Sequence, residues 1–469
     1  MKFIFLGLGA LLLVGVAVIA SRIKKQAKGE PGFREFVKNP ELFEEYITDG
    51  DGESFDESEV ASWDDEQIHQ QVTRFVSGDD DSYELSEALE SLIPKTHDAL
   101  LSILRHGKVD AEQSLDEDSI DRLCDLFDGS MPAEAFPLLE PYLTHPSDKF
   151  RKACVLAVAE TGLAEALPAV RRAMKDDDEF VRSYALIGVD RANENDRIAE
   201  ELVEGVLPEI EGLIRRDQNG DKTSSLLAEL DADRASSFLL SPEILALENG
   251  QLYNILRTIN RFDFEISRDQ VLSLVNQLRD RELDFPNNNI LGESLDLLGK
   301  FKVSEDRELL QKYSEHPIEE VAEGAARGLV EANDLGDFRT RLWEKEESGE
   351  VLSKEQQLYR AVLILDAEVN NGGHSQYFFN SSGDEWQLAL EGLKVMGFKE
   401  RLAIFDGILA LFGEDGPVND QSIRSDQLAD IYTEHEEAFD EFDGRYYQCE
   451  ENVEVVMMRY VIRNADAFK

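Results

Sequence analysis

The chain has 469 residues, with 98 Asp+Glu against 48 Lys+Arg, a formal net charge of −50. That balance excludes a bare nucleic-acid binder, which needs a basic face to displace counterions from phosphate, and a polybasic lipid-surface binder. With 42% hydrophobic residues and 25 Phe the chain can bury sizeable cores, and Cys124, Cys154 and Cys449 are too few and too far apart for a disulfide or zinc framework.

Phe3 to Ala20 is an uncharged apolar run of 18 residues, about 27 Å long as a helix and matched to a hydrocarbon core. Arg22, Lys24, Lys25 and Lys28 follow it, and positive charge favours the cytoplasmic side. The expectation is an uncleaved single-pass anchor over residues 1–28 with a cytoplasmic body. The rival is a signal peptide cleaved after Val18-Ile19-Ala20, with export of the remainder.

From Asn39 to Thr73 there are 12 acids and no Lys or Arg, yet apolar residues recur at helical intervals. Residues 29–130 therefore read as short amphipathic helices joined by acidic loops, with Leu85–Leu104 as an early helix pair. The acidic runs at Asp49–Ser58 and Asp217–Asp221 lack the glycine and the closing acid of a calcium loop, so they read as solvated linkers.

An internal repeat follows. The unit starting at Ala135 recurs at Ala166, 31 residues on, pairing Pro137 with Pro168, Arg151 with Arg182 and Val158 with Val189. Each unit reads as helix, polar turn, helix. A third copy starts at Arg307, with His316-Pro317 standing where the first has His145-Pro146. The pattern resembles HEAT-like repeats, whose helix pairs stack because one pair cannot bury its own apolar face. A solenoid is expected over 131–340, with diverged helices at Val203–Ile214, Leu239–Ile259, Val271–Leu278 and Ile290–Leu298. The polar stretch from Leu335 to Ser353 reads as a connector pinned by Trp343.

The last domain, 353–469, opens on a capping box, Ser353 with Gln356. Its first helix shows an apolar face of Leu358, Val362, Leu365 and Val369, and Gly372-Gly373 is expected to stop it. The run Glu368–Trp386, EVNNGGHSQYFFNSSGDEW, resembles the signature of the DNA-mimic-protein C-terminal domain family, with His374 standing where the family pattern has an aromatic. The motif residues are Glu368, Asn370, Asn371, Gly372, Gly373, Gln376, Tyr377, Phe378 and Asn380. On a structural reading the asparagines and glycines end a helix, Gln376 and Asn380 bond backbone groups, and Tyr377, Phe378 and Phe379 enter the core. On a functional reading Glu368, His374, Gln376 and Asn380 form a polar pocket.

The resemblance implies an all-helical domain whose acids imitate the phosphates of duplex DNA. Duplex DNA carries one charge per about 1.7 Å of axis, and acids a turn apart on a helix recur about every 5–6 Å. Asp426, Asp430, Glu434 and Glu437 share one helix face, with Asp440 and Glu441 beyond them; the alternative is an ordinary solvated face. No catalytic or metal-ligating constellation appears: His435-Glu436 opens a zincin pattern, but Phe439 stands where its second histidine belongs. No cofactor is expected.

The whole reads as an all-α protein with an N-terminal transmembrane helix, a HEAT-like α-solenoid and a small C-terminal helical domain. Its expected role is a membrane-anchored acidic module for a basic protein partner such as a DNA-binding regulator. The alternatives are a scaffold or adaptor whose groove binds a peptide or helix without mimicry, and, least supported, an enzyme with a site assembled from distant residues.

Overall fold

A computed structural model describes residues 60–469 apart from 128, 217–221, 248–249 and 280. Helices carry the fold, and no strand forms among the described residues. Two compact units result: one runs to Ser267 and takes in Asp284–Pro286, and the other holds Arg268–Leu283 and Asn287–Lys469.

In the first unit, α1 (Asp65–Ser77), α2 (Tyr83–Ser91), α3 (Thr96–His106) and α4 (Glu117–Asp125) precede the repeats. The two copies are α5 (Phe136–Leu143) with α6 (Asp148–Glu160), and α7 (Leu167–Ala173) with α8 (Glu179–Glu194). After them come α9 (Glu200–Arg216), α10 (Thr223–Leu230), α11 (Ala232–Leu239), α12 (Pro242–Leu245) and α13 (Gln251–Arg261). The expected continuous pattern across Leu239–Ile259 is thus divided among three helices. Pro242, which lacks an N–H, opens the short α12.

The 31-residue offset has a structural basis. Val158 and Val189 are both fully buried, one on each copy's second helix. The Arg151 guanidinium donates to the carbonyls of His145 and Pro146 (2.8 and 3.1 Å), and Arg182 donates to those of Asp176 and Asp177 at the same distances. Each arginine thereby satisfies the carbonyls of its own interhelical turn. Arg151 also reaches the next turn, gripping both oxygens of Asp176 at 2.8 and 2.7 Å. Burial raises the Asp176 carboxyl, but the Arg151 hydrogen bonds, the Asp178 N–H and the charges of Arg151 and Arg182 together outweigh it and hold the group below the usual carboxylate range.

The second unit contains α14 (Arg268–Leu278), α15 (Asn287–Gly299), α16 (Ser304–Tyr313), α17 (Glu319–Ala332) and α18 (Phe338–Glu347). It continues with α19 (Lys354–Phe379), α20 (Trp386–Met396), α21 (Glu400–Leu411), α22 (Gln421–Tyr447), α23 (Val453–Arg463) and α24 (Ala465–Phe468). The third repeat copy is α16 and α17. In its turn the His316 Nδ1 accepts from the Ile318 N–H at 3.1 Å, as the His145 Nδ1 accepts from Ser147 in the first copy.

Glycines bring α15 and α17 together backbone to backbone: a Cβ on Gly299 would lie 2.0 Å from the Gly328 carbonyl oxygen. The third copy shares one body with the C-terminal helices. Asn452 donates to Glu319 and Glu323, Arg459 to the Ser314 carbonyl, and Arg339 to both oxygens of Glu454 at 2.6 and 2.7 Å.

Two expectations need correction. The stretch read as a polar connector is the helix α18; its Phe338 and Leu342 are buried, while Trp343 is 39% exposed. Phe338 meets Tyr359 and Phe468 edge-on at 5.3 and 5.7 Å, and this aromatic trio fastens α18, α19 and α24. Second, no helix among the described residues is long and apolar enough to cross a membrane. The transmembrane element of the expected fold, and the single-pass location derived from it, therefore find no helix to carry them among the described residues. Residues 3–20, on which both rested, lie outside the described residues, as do the two acidic loops weighed for calcium.

Candidate functional site

The family-like motif lies on α19. The capping box forms as expected: Ser353 Oγ accepts from the Gln356 N–H at 3.2 Å, and Gln356 Oε1 accepts from the Ser353 N–H at 3.0 Å. The helix is not stopped at the glycine pair but bent there. Gly373 takes φ 80°, ψ 177°, and helix resumes from His374 to Phe379. Only glycine adopts that backbone readily. Space demands it as well, since a Cβ on Gly373 would lie 2.2 Å from Asp443 Oδ2.

Asp443, on α22, is the reason the helix restarts. Its Oδ1 accepts from the His374 N–H at 3.0 Å and from His374 Nδ1 at 2.5 Å. A carboxylate at the first N–H of a restarted helix satisfies an orphan donor and meets the positive end of the dipole. His374 is fully buried, with its ring edge-on to Tyr446 at 5.3 Å. Nearby, Tyr446 donates its hydroxyl to Asp366 at 2.9 Å, and burial, then the Asp366 charge, push that hydroxyl well above its ordinary range.

Glu368 gathers the rest of the motif. Its carboxylate accepts from Gln376 Nε2 at 2.8 Å, Asn380 Nδ2 at 2.9 Å and Ser382 Oγ at 3.0 Å. Gln376 and Asn380 thus serve a carboxylate rather than the backbone. The expected four-residue pocket divides in two: His374 belongs to Asp443, and Glu368 holds Gln376 and Asn380. Asn370 donates to the Asp366 carbonyl at 2.8 Å, and Asn371 is exposed. Tyr377 and Phe378 are buried, but Phe379 is 43% exposed; it falls on the outer side of the short restarted helix.

Arg424, fully buried on α22, escaped the sequence reading. Its guanidinium donates to the carbonyls of Phe378 (2.7 Å), Asn380 (2.7 Å) and Val418 (2.8 Å), and to Asp384 Oδ1 (2.6 Å). One side chain therefore closes the end of α19 and ties down the loop before α22. The available signal was its isolation: it is the one Lys or Arg between Arg401 and Arg445.

Two sets of acids stand out in this domain. Turned inward, Asp366, Asp384, Asp443 and Glu454 meet Arg401, Arg424, His374 and Arg339. Glu451 caps α21 by accepting from the N–H groups of Lys399 and Arg401 at 2.6 and 3.0 Å. Turned outward on α22, Asp426, Asp430, Glu434, Glu437, Asp440 and Glu441 are all exposed. Among the described residues, Asp426, Asp430, Glu434, Glu437 and Glu441 have no cationic partner. The backbone leaves helical geometry at His435 (φ −129°, ψ 25°), so Asp426, Asp430 and Glu434 form one stripe and the later acids follow a bend. No group of three or more His, Cys, Asp or Glu among the described residues is placed to hold a metal ion.

Residues 97–190 match the family model for HEAT repeats, and residues 350–464 match that described as DMP19-like protein. No curated protein matches the chain. The two matched families, helical repeats and a DNA mimic, are not enzyme families. Behind its HEAT repeats, the chain carries a DMP19-like domain.

Proposed function

We propose that the outer face of α22 stands in for DNA phosphate and occupies the basic surface of a DNA-binding protein, with the helical repeats as its frame. The observation that carries this reading is the division of the acids. Asp366, Asp384 and Glu454 are paired with arginines and Asp443 is hydrogen-bonded to His374, while Asp426, Asp430, Glu434, Glu437 and Glu441 are exposed without a cation among the described residues. Acids one turn apart sit about 6 Å from one another along the axis, a regular row of fixed charge. Glu368, Asp443 and Arg424 are positioning residues that set where α22 lies. The test is competition: the full chain is titrated into complexes of labelled duplex DNA with purified basic DNA-binding domains. The wild type should displace the DNA, with a potency that falls steeply as salt rises. The quadruple variant D426N/D430N/E434Q/E437Q should fail to do so, and equal potency would refute the proposal.

The HEAT repeats support a second reading, an adaptor whose stacked helices hold a peptide or helix by apolar contact. Binding by that route would survive high salt and the quadruple substitution.

A further inference from the structure

We infer that the acidic stripe is headed by an apolar anchor, and that the surface fits a basic protein segment presenting one apolar side chain among its lysines and arginines. This rests on the reading of α22 as a phosphate-like face and adds a contact that duplex DNA does not offer. Ile423 is 57% exposed on the first turn of α22. Helical spacing sets Asp426, Asp430 and Glu434 at i+3, i+7 and i+11 from it, on the same face. Two further exposed apolar residues lie on segments hydrogen-bonded to the start of α22. Phe379 is 43% and Val418 39% exposed, and the backbone around both is drawn to the start of α22. Gln421 Nε2 donates to the Phe379 carbonyl at 3.1 Å, and buried Arg424 binds the carbonyls of Phe378, Asn380 and Val418.

Scattered apolar side chains on a surface need no explanation, but three on segments that one buried arginine ties together, at the head of a stripe of unneutralised acids, offer a place for an apolar contact. Charge complementarity selects the occupant. A neutral apolar partner would leave Asp426 and Asp430 facing it unpaired, whereas a Lys/Arg-rich segment pairs them while its apolar residue covers Ile423.

The experiment uses the full chain and two synthetic Lys/Arg-rich peptides that differ only in a central leucine or alanine, with binding followed by fluorescence anisotropy. Burial of the leucine predicts about tenfold tighter binding than alanine, a preference that persists at high salt because apolar contact is not screened. I423S and F379S, both exposed positions, should each reduce the preference while leaving the helical circular dichroism unchanged. Equal affinity for the two peptides, or a preference that survives I423S and F379S, overturns the anchor. D426N/D430N separates the two ideas. Loss of the alanine peptide in that variant, with no leucine preference in the wild type, keeps the phosphate-like face and sinks the anchor. If neither peptide binds the wild type, both fail.

Discussion

The bend in α19 shows how much one residue can decide. Gly373 holds a positive φ and lies against the Asp443 carboxylate, which in turn caps the resumed helix and binds the buried His374 ring. Any side chain there meets both backbone strain and the carboxylate. Gly373→Ala should therefore destabilise the second unit by about 2–3 kcal/mol, read as a lower urea midpoint in its unfolding transition. Gly397, also at positive φ but with open space around its would-be Cβ, is the control: alanine there meets only the strain and should cost less. Equal losses at the two sites would show that the contact with Asp443 contributes nothing.

Between elements, the repeat is held by arginines placed at one offset. Arg151 joins its own turn to the Asp176 turn of the next copy, and both side chains are mostly buried. Arg151→Ala should lower the stability of the first unit by about 2–3 kcal/mol near neutral pH, the range for hydrogen bonds to charged groups. The pH dependence follows from the Asp176 carboxyl, which burial raises but Arg151, with the Asp178 N–H and the Arg182 charge, holds below its ordinary value. A carboxyl depressed in the folded state contributes stability above its unfolded pKa, about 3.9, and loses it as pH falls through the lower folded value. The difference between wild type and R151A should thus be full at about pH 6–7 and shrink below about pH 4. Denaturant titrations at several pH values would check this; a difference independent of pH would assign the loss to packing alone.

At the scale of the whole molecule, a net charge of −50 means that like charges crowd every compact arrangement of the chain. Where bases are available they are spent on joints: Arg339 on Glu454, Arg268 on Asp306, Arg424 on Asp384. Asp426, Asp430, Glu434 and Glu437 on the outside of α22 are left repelling one another. Added salt should therefore raise the thermal unfolding temperature at neutral pH, because it screens exposed repulsion more than buried pairs. The increment should be smaller in D426N/D430N/E434Q/E437Q. A melting temperature that falls with salt, or the same increment in the variant, would indicate that surface repulsion does not limit stability.

The helical class, the repeat pairs and the capping box at Ser353 were legible from the amino-acid order because their causes are local. Periodic apolar residues, a 31-residue offset and a side chain three positions from its backbone partner all lie within a short window. The connector around Phe338 was misread because its burial depends on Tyr359 and Phe468, and Phe468 lies 130 residues further on in the chain. The motif residues were recognisable, but their partners were not. His374 meets Asp443 across 69 residues, and Arg424 reaches back 46 residues to the Phe378 carbonyl. Which acids are neutralised and which remain free is decided by the same folding. Residue type and periodicity place a carboxylate on a helix, but only the packing of one helix on another brings a base to it or leaves it facing water.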